Sequence, residues 1–193
     1  MPRTEVFNRE SVLSEARNVF WKKGYNGTSM QDLVDAMGLN RSSIYNSFGS
    51  KMELYELTLK NYQNESRELF DRARERAANA LETIGLIFVF IVQDIMTDSD
   101  EKGCMIINCS TEMGNQNDAL QQWLLGNKEW LVAVFQELVE EGQKERVIRT
   151  DKDSLNLAYY LLNSFQGLRV SGMLIKDQKI LKGIIANTLS TLK

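Results

Sequence analysis

The sequence predicts an all-α protein, and three observations carry that prediction. The single proline is Pro2, so from Arg3 onward every residue keeps the backbone N–H that a helix interior needs. Apolar residues return every three to four positions over long stretches, which is the period of a helix face. The regular strand-and-turn rhythm of a β-sandwich, one turn in about 8–12 residues, is missing. With 193 residues and 43% hydrophobic content, the chain is long and apolar enough to bury a core in one or two domains.

The elements follow in order. From Val6 to Lys23, Val12/Leu13, Ala16 and Val19/Phe20 fall at helical spacing. "KKGYNGTS" then supplies a basic last turn, a glycine stop and a new cap. Thr28 or Ser29 caps the next helix, with Gln31 or Asp32 as capping-box partner. This second helix turns Leu33, Val34 and Met37 inward and ends at Gly38. Asn40 caps a short third helix, Arg41 to Ser47, with Ile44 and Phe48 on one face. Gly49 stops it, and Ser50 caps a long charged helix from Lys51 towards Ala80. Further helices are expected at 81–97, 104–113, 117–142, 152–175 and 177–191, which brings the total to about nine. The one at 152–175 is apolar nearly all round ("LNLAYYLLNSF"), so it needs cover on every side, from its own core and from a second subunit.

Composition narrows the function. There is no histidine, which removes the commonest general base, the Ser–His and Cys–His nucleophile pairs and the commonest transition-metal ligand. An enzyme is therefore not expected, nor a metal or cofactor. The first 60 residues hold eight basic and seven acidic side chains, the rest fifteen and nineteen, so the front is basic relative to the back. That asymmetry points weakly to a nucleic-acid-facing N-terminus. Cys104 and Cys109 would stand about 140° apart around a helix and do not bridge readily. The N-terminus does not read as a signal peptide, so a cytoplasmic protein is expected. The longest apolar run, "LIFVFIV" (Leu86–Val92), is far short of the roughly 20 residues that span a bilayer and reads as a buried helix segment, with no membrane partner.

Two short helices joined by a glycine-containing turn and braced by a preceding helix match the helix-turn-helix pattern. The third helix must be slim enough for a major groove about 12 Å wide, polar outward and apolar only where it is seated. Ile44 and Phe48 are that seat, while Arg41, Ser42, Tyr45 and Asn46 face outward. Arg41 suits a bidentate contact to guanine, and Asn46 a contact to adenine or phosphate. The same residues also suit a helix corner in an ordinary bundle.

"GYNGTSMQDLVDAMGLNRSSIYNSFGSKMELY" (Gly24–Tyr55) resembles the DNA-binding signature of the tetracycline-repressor family of bacterial transcriptional regulators. The resemblance rests on the Thr-Ser pair opening the second helix, Gly38, the hydroxyl-rich recognition helix, Ile44-Tyr45, Phe48 and Ser50-Lys51. It implies a helix-turn-helix DNA-binding domain at 1–50 and an effector-binding and dimerisation domain at 51–193, joined by the long linker helix. It also implies a homodimer on a two-fold symmetric double-stranded operator, most simply a repressor released by a small molecule. By position, Thr28 and Ser29 would contact phosphate, Arg41, Ser42, Ser43 and Tyr45 would face DNA, and Lys51 would clamp a phosphate. Asn46 and Ser47 depart from the His or aromatic residue often found at those positions in the family.

In the back half, aromatic and methionine side chains suit a mostly apolar effector cavity, and plain core packing suits them too. Phe88, Met105, Trp123 and Phe165, with Asn108 as a polar orienting group, are the effector candidates; Met113, Trp130, Glu112 and Asn163 belong to the wider set. "KGCMIINCSTEMG" (102–114) resembles a segment in one branch of the family, and some relatives sense electrophiles or oxidants through a cysteine. Cys104, after Gly103 at an expected helix start, is the candidate redox sensor, against the alternative of a small buried hydrophobe. The dimer interface is expected on the last two helices, at Tyr159, Leu162, Gln166, Val170, Leu181, Ile184, Ile185 and Thr188. Two other functions compete with the ligand-responsive regulator: a constitutive DNA-binding regulator without an effector, and an all-α carrier or enzyme.

Overall fold

The computed structural model describes residues 7–193, so the expected helix start at Val6 lies outside the described residues. Among the described residues there are nine α-helices and no strand. The order is α1 (Arg9–Lys23), α2 (Met30–Met37), α3 (Arg41–Phe48), α4 (Lys51–Arg76), α5 (Ala80–Thr97), α6 (Met105–Met113), α7 (Asp118–Lys144), α8 (Ser154–Ser171) and α9 (Gln178–Ser190).

Local chemistry sets these boundaries. Ser29, not Thr28, caps α2: its side chain accepts the Asp32 N–H while the Asp32 carboxylate accepts the Ser29 N–H. Ser50 and Glu53 repeat this reciprocal pair at the start of α4. Asn8, Asn40, Asn79, Asn117, Asp153 and Asp177 cap α1, α3, α5, α7, α8 and α9 with side-chain oxygens. Gly38 ends α2 in the left-handed region at φ 64°, open to glycine at no steric cost. Only α6 starts without a side-chain cap, at Cys104.

Two cores divide the chain, and α4 belongs to both. The first gathers Ala16 and Phe20 of α1, Leu33 and Met37 of α2, Ile44 and Phe48 of α3, and Leu54, Tyr55, Leu59 and Tyr62 of α4. It also takes in Cys104, Met105, Cys109 and Met113 from α6 and its entry. The first core therefore takes in α6, distant in sequence, as part of its floor. The second core is built on α5, α7, α8 and α9 around Ile84, Ile87, Phe88, Phe135, Leu161 and Leu181, with Leu69, Phe70 and Ala73 from the far end of α4. Phe70, Phe88, Phe135 and Phe165 form its aromatic centre, with ring centroids 5.8–6.4 Å apart. By length and composition α5 would also cross a membrane, but here Ile84, Ile87, Phe88 and Ile91 are fully buried against the neighbouring helices.

Polar ties join the layers. Arg17 of α1 donates to Asn61 and Glu65 of α4, at 2.8 and 2.6 Å. Arg74 of α4 pairs with Glu141 of α7. The buried Gln63 amide donates to Asn127 at 2.7 Å, which satisfies both polar groups where α4 meets α7.

Candidate nucleic-acid interface and effector site

The geometry of α3 suits it to lie in a groove. Ile44 and Phe48 are buried on the first core, while Arg41, Ser42, Tyr45 and Asn46 stand on the opposite face and are exposed. Their i, i+1, i+4, i+5 spacing makes one continuous strip along two turns. The Arg41 guanidinium lies 5.8 Å from the Tyr45 ring centroid, so it is directed without being consumed by an acid. Ser43 is half-buried at the edge of the strip, its N–H taken by the Asn40 cap. A shallow surface groove lined by Ser29, Gln31, Val34, Asn40 and Arg41 runs beside α3 between the starts of the two helices.

Three expected phosphate contacts change character. Thr28 is buried, and its hydroxyl donates to the Gly24 carbonyl at 2.6 Å, closing the α1–α2 turn instead of facing DNA. Ser29 stays exposed, but its N–H and hydroxyl both give to Asp32, which in turn takes Lys23 at 2.6 Å. Lys51 does not hang free at the start of α4. Its ammonium donates to the Tyr25 carbonyl at 2.7 Å and lies 4.3 Å from the Tyr25 ring centroid. Burial pushes its pKa below the ordinary lysine value, with Glu112 and Asp32 opposing.

The same turn is held from behind by α6. Glu112 accepts the N–H groups of Tyr25 at 2.9 Å and Asn26 at 2.7 Å. It is thus a structural acceptor and not a cavity residue. Trp21 adds a second tie: its indole N–H donates to the Gly103 carbonyl at 3.1 Å, just before α6 begins. Helix α6 therefore touches the DNA-binding helices at both ends.

Between these halves lies a cavity of about 370 Å³, within the range of about 300–1,000 Å³ usual for small-molecule sites. Trp21 and Tyr62 wall one side, Ile95 and Met173 another, and Glu65, Arg72, Asp94, Asp98, Lys102, Arg169 and Lys176 supply charge. Asp94 is an exposed residue of the cavity wall, and partial burial of its carboxyl raises its pKa, with Arg169 and Arg72 opposing. A smaller chamber of about 40 Å³ shares Ser66 and Arg169 with the cavity and is otherwise lined largely by Phe70, Cys104, Trp130, Leu131 and Phe165.

The effector candidates fare unevenly. Phe165 lines the small chamber, and Trp123 lines a separate pocket of about 120 Å³ beside Leu59 and Leu120. Phe88 and Met105 are fully buried packing residues of the two cores. Asn108 is spent on structure, its amide donating to the Lys102 carbonyl at 2.8 Å. Cys104 is buried in the small-chamber wall beside Tyr62, whose phenol pKa burial pushes up, with the thiol adding to the rise. Cys109 is fully buried, and burial likewise raises its thiol pKa. Sequence reasoning missed Arg169, Asp94, Trp21 and Tyr62. An arginine near the end of an otherwise apolar helix was the available signal.

The dimer candidates split in two. Tyr159, Gln166 and Val170 are exposed along α8, and Ile184 is half-buried on α9. Leu162, Leu181, Ile185 and Thr188 turn inward instead: the three aliphatics belong to the second core, and the Thr188 hydroxyl donates to the Ile184 carbonyl. The exposed strip that runs Leu155, Tyr159, Asn163, Gln166 and Val170 continues at Ile180 of α9.

Comparison with known proteins agrees with this architecture. The profile of bacterial regulatory proteins of the tetR family matches residues 12–58. The tetracyclin repressor-like C-terminal domain matches residues 88–187, more than half of the chain. The chain belongs to the TetR family. This regulator is 29% identical over 168 residues to the HTH-type transcriptional repressor DhaR of Mycobacterium sp. (strain GP1), covering 86% of its own length and 82% of DhaR. It is 28% identical over 193 residues to YezE of Bacillus subtilis (strain 168), an uncharacterized HTH-type transcriptional regulator, with both chains fully covered. In fold it is similar to a cysteine mutant of the TetR-family regulator CifR complexed with 26-base-pair operator DNA. The TM-score is 0.85 at 24% identity, covering 99% of this chain and 100% of that one.

Proposed function

We propose that this TetR-family regulator is an effector-responsive repressor that binds a two-fold symmetric operator as a homodimer. The exposed strip Arg41, Ser42, Tyr45 and Asn46 on the buried seat of Ile44 and Phe48 carries the reading. Arg41 reads guanine, Asn46 and Tyr45 supply further base or phosphate contacts, and Ser42 and Ser43 keep the helix thin at the groove floor. A regulator of this kind works where the DNA is, in the cytoplasm, and needs no catalysis.

The exposed strip of α8, continued by Ile180 and Ile184 of α9, is the proposed dimer face, two helices from each subunit around a two-fold axis. Pairing there fixes the distance between two recognition helices at one helical turn of DNA, about 34 Å, or a small multiple of it. The cavity of about 370 Å³ is the proposed effector site, because Trp21 of α1 and Gly103 at the entry to α6 both line it. A ligand that favours a different spacing of these walls moves α6, and with α6 the Glu112 grip on the α1–α2 turn.

Selection of operator sequences from random double-stranded DNA tests the reading. Enrichment of one palindrome, bound tightly and salt-sensitively and released by a small molecule, is the expected result. Failure to enrich any sequence would overturn it. A second signal is favoured by Cys104, whose thiol sits at the start of α6 beside Tyr62. Conjugate addition of the Cys104 thiol across an activated C=C bond forms a C–S bond as the C=C π bond breaks and the thiol proton passes to the neighbouring carbon, which would add bulk where α6 begins. Cys104→Ser is then expected to abolish the electrophile response in a gel shift and to leave operator binding intact; an unchanged response sinks this second route.

A further inference from the structure

The cavity holds two groups whose needs the protein does not meet, Arg169 and Asp98. Arg169 is 8% exposed, yet its Nε–H has no hydrogen-bond partner. Among the described residues its one side-chain hydrogen bond is a long one from Nη1 to the Tyr62 hydroxyl, 3.4 Å, and its guanidinium lies 5.0 Å from the Phe165 ring centroid. Among the described residues no carboxylate lies within ion-pair distance of it. Asp94, on the same cavity wall, acts on it only from beyond ion-pair distance, and a buried cation with no direct ion pair and a donor unfilled is costly unless something else completes it. In the same cavity the Asp98 Oδ2 accepts the Gly103 N–H and Oδ1 is left buried and unpartnered. Behind Arg169 the small chamber is apolar, walled by Phe70, Trp130, Leu131 and Phe165.

We propose that the effector of this regulator is a small organic carboxylate, its anion held by the Arg169 guanidinium and its compact apolar end seated in the Phe70–Trp130–Phe165 chamber. A planar carboxylate fills the two-donor fork of a guanidinium, which a neutral amide of the same shape does not. Asp98 favours acids that also carry a hydroxyl, which its free oxygen accepts. Asp94, exposed on the cavity wall, selects against dianions by repulsion. This rests on the cavity being the effector site, and the experiment separates the two statements.

Acetate, butyrate, benzoate and salicylate are each titrated against the purified full-length protein alongside the matching amide, with thermal unfolding and tryptophan fluorescence as readouts; Trp21 and Trp130 both line the chambers. Butyrate, benzoate or salicylate is expected to raise Tm and shift the emission, with affinity at least about tenfold above its amide and above acetate. Arg169→Met is expected to erase that preference and Arg169→Lys to weaken it, with helical content and dimer state unchanged. If the Met variant does not fold, the wild-type acid-to-amide ratio still decides. Amides that bind as well as acids would overturn the carboxylate and leave the cavity as effector site. No binding by any of the four acids would also overturn it; if neutral compounds then release operator through Trp21 and Gly103, the site stands and only its chemistry falls.

Discussion

Glu112 and Lys51 hold one turn from opposite sides. The carboxylate takes the N–H groups of Tyr25 and Asn26, and the ammonium gives to the Tyr25 carbonyl, so both polar ends of a single residue of the α1–α2 turn are fixed. Gly24 makes the close approach possible. Its φ of 74° with ψ of 174° lies in a region essentially limited to glycine, and a Cβ there would come within 2.7 Å of the Glu112 carboxylate. Lys51 comes from the linker helix and Glu112 from α6, so the two elements that reach into the effector half meet at the joint of the DNA-binding half.

Glu112→Ala should therefore loosen the joint without touching the DNA face. Two backbone N–H groups lose their acceptor, one of them partly buried, at a cost of about 1–3 kcal/mol. Urea unfolding is expected to register that loss. Gel shifts are expected to show weaker operator binding and a smaller difference between free and effector-bound protein. A variant with wild-type stability and full response would mean that α6 is not the connecting element.

Arg41 and Lys51 should separate in a salt titration. Arg41 is exposed and directed from α3, so Arg41→Ala is expected to cost about 1–3 kcal/mol of operator affinity and to relax specificity at one base pair. The Lys51 ammonium is committed to Tyr25, so Lys51→Met should lower stability while leaving the slope of log affinity against log salt nearly unchanged. A loss of about 0.9 from that slope would mean that Lys51 leaves Tyr25 for a phosphate on binding.

What could be read in advance follows from which signals are local. The starts of α2, α3 and α4 were legible because Ser29, Asn40 and Ser50 act on residues three positions away. Ile44 and Phe48 were legible because an eight-residue helix with two large apolar residues has one way to face a core. Lys51 was not, since its partner is 26 residues distant and reached through the fold. Helix α8 misled because it is apolar on both sides. Periodicity cannot say whether Leu162 or Tyr159 looks outward when each face would satisfy a core, and only packing against α7 decides. Arg169 was hidden by the same apolar run.

Asp32 gives the α2 cap a pH signature. Its hydrogen bond from Lys23, followed by those from Ser29, holds its carboxyl at about 2 against an ordinary value near 3.8. Because the folded pKa is depressed, its stabilising contribution is complete above the ordinary value and drains away as pH falls from there towards about 2. A carboxyl titration by NMR is expected to give that low midpoint, and Lys23→Ala to move it up. An Asp32 midpoint unchanged by Lys23→Ala would show that the Ser29 capping box alone sets it.

The two faces of α8 should respond oppositely to substitution. Val170 is 44% exposed on the strip shared with Tyr159 and Gln166, whereas Leu162 is 6% exposed and packed in the second core. Val170→Glu places a charge on the proposed dimer face, where desolvation on pairing and repulsion between the two subunits' charges oppose association. Sedimentation is expected to show monomer, with the fold intact by circular dichroism and operator affinity lost, because one recognition helix alone spans a half-site. Leu162→Ala should instead lower stability by about 2–5 kcal/mol while leaving a dimer. A Val170→Glu protein that stays dimeric would move the interface off this strip, and with it the geometry that sets operator spacing.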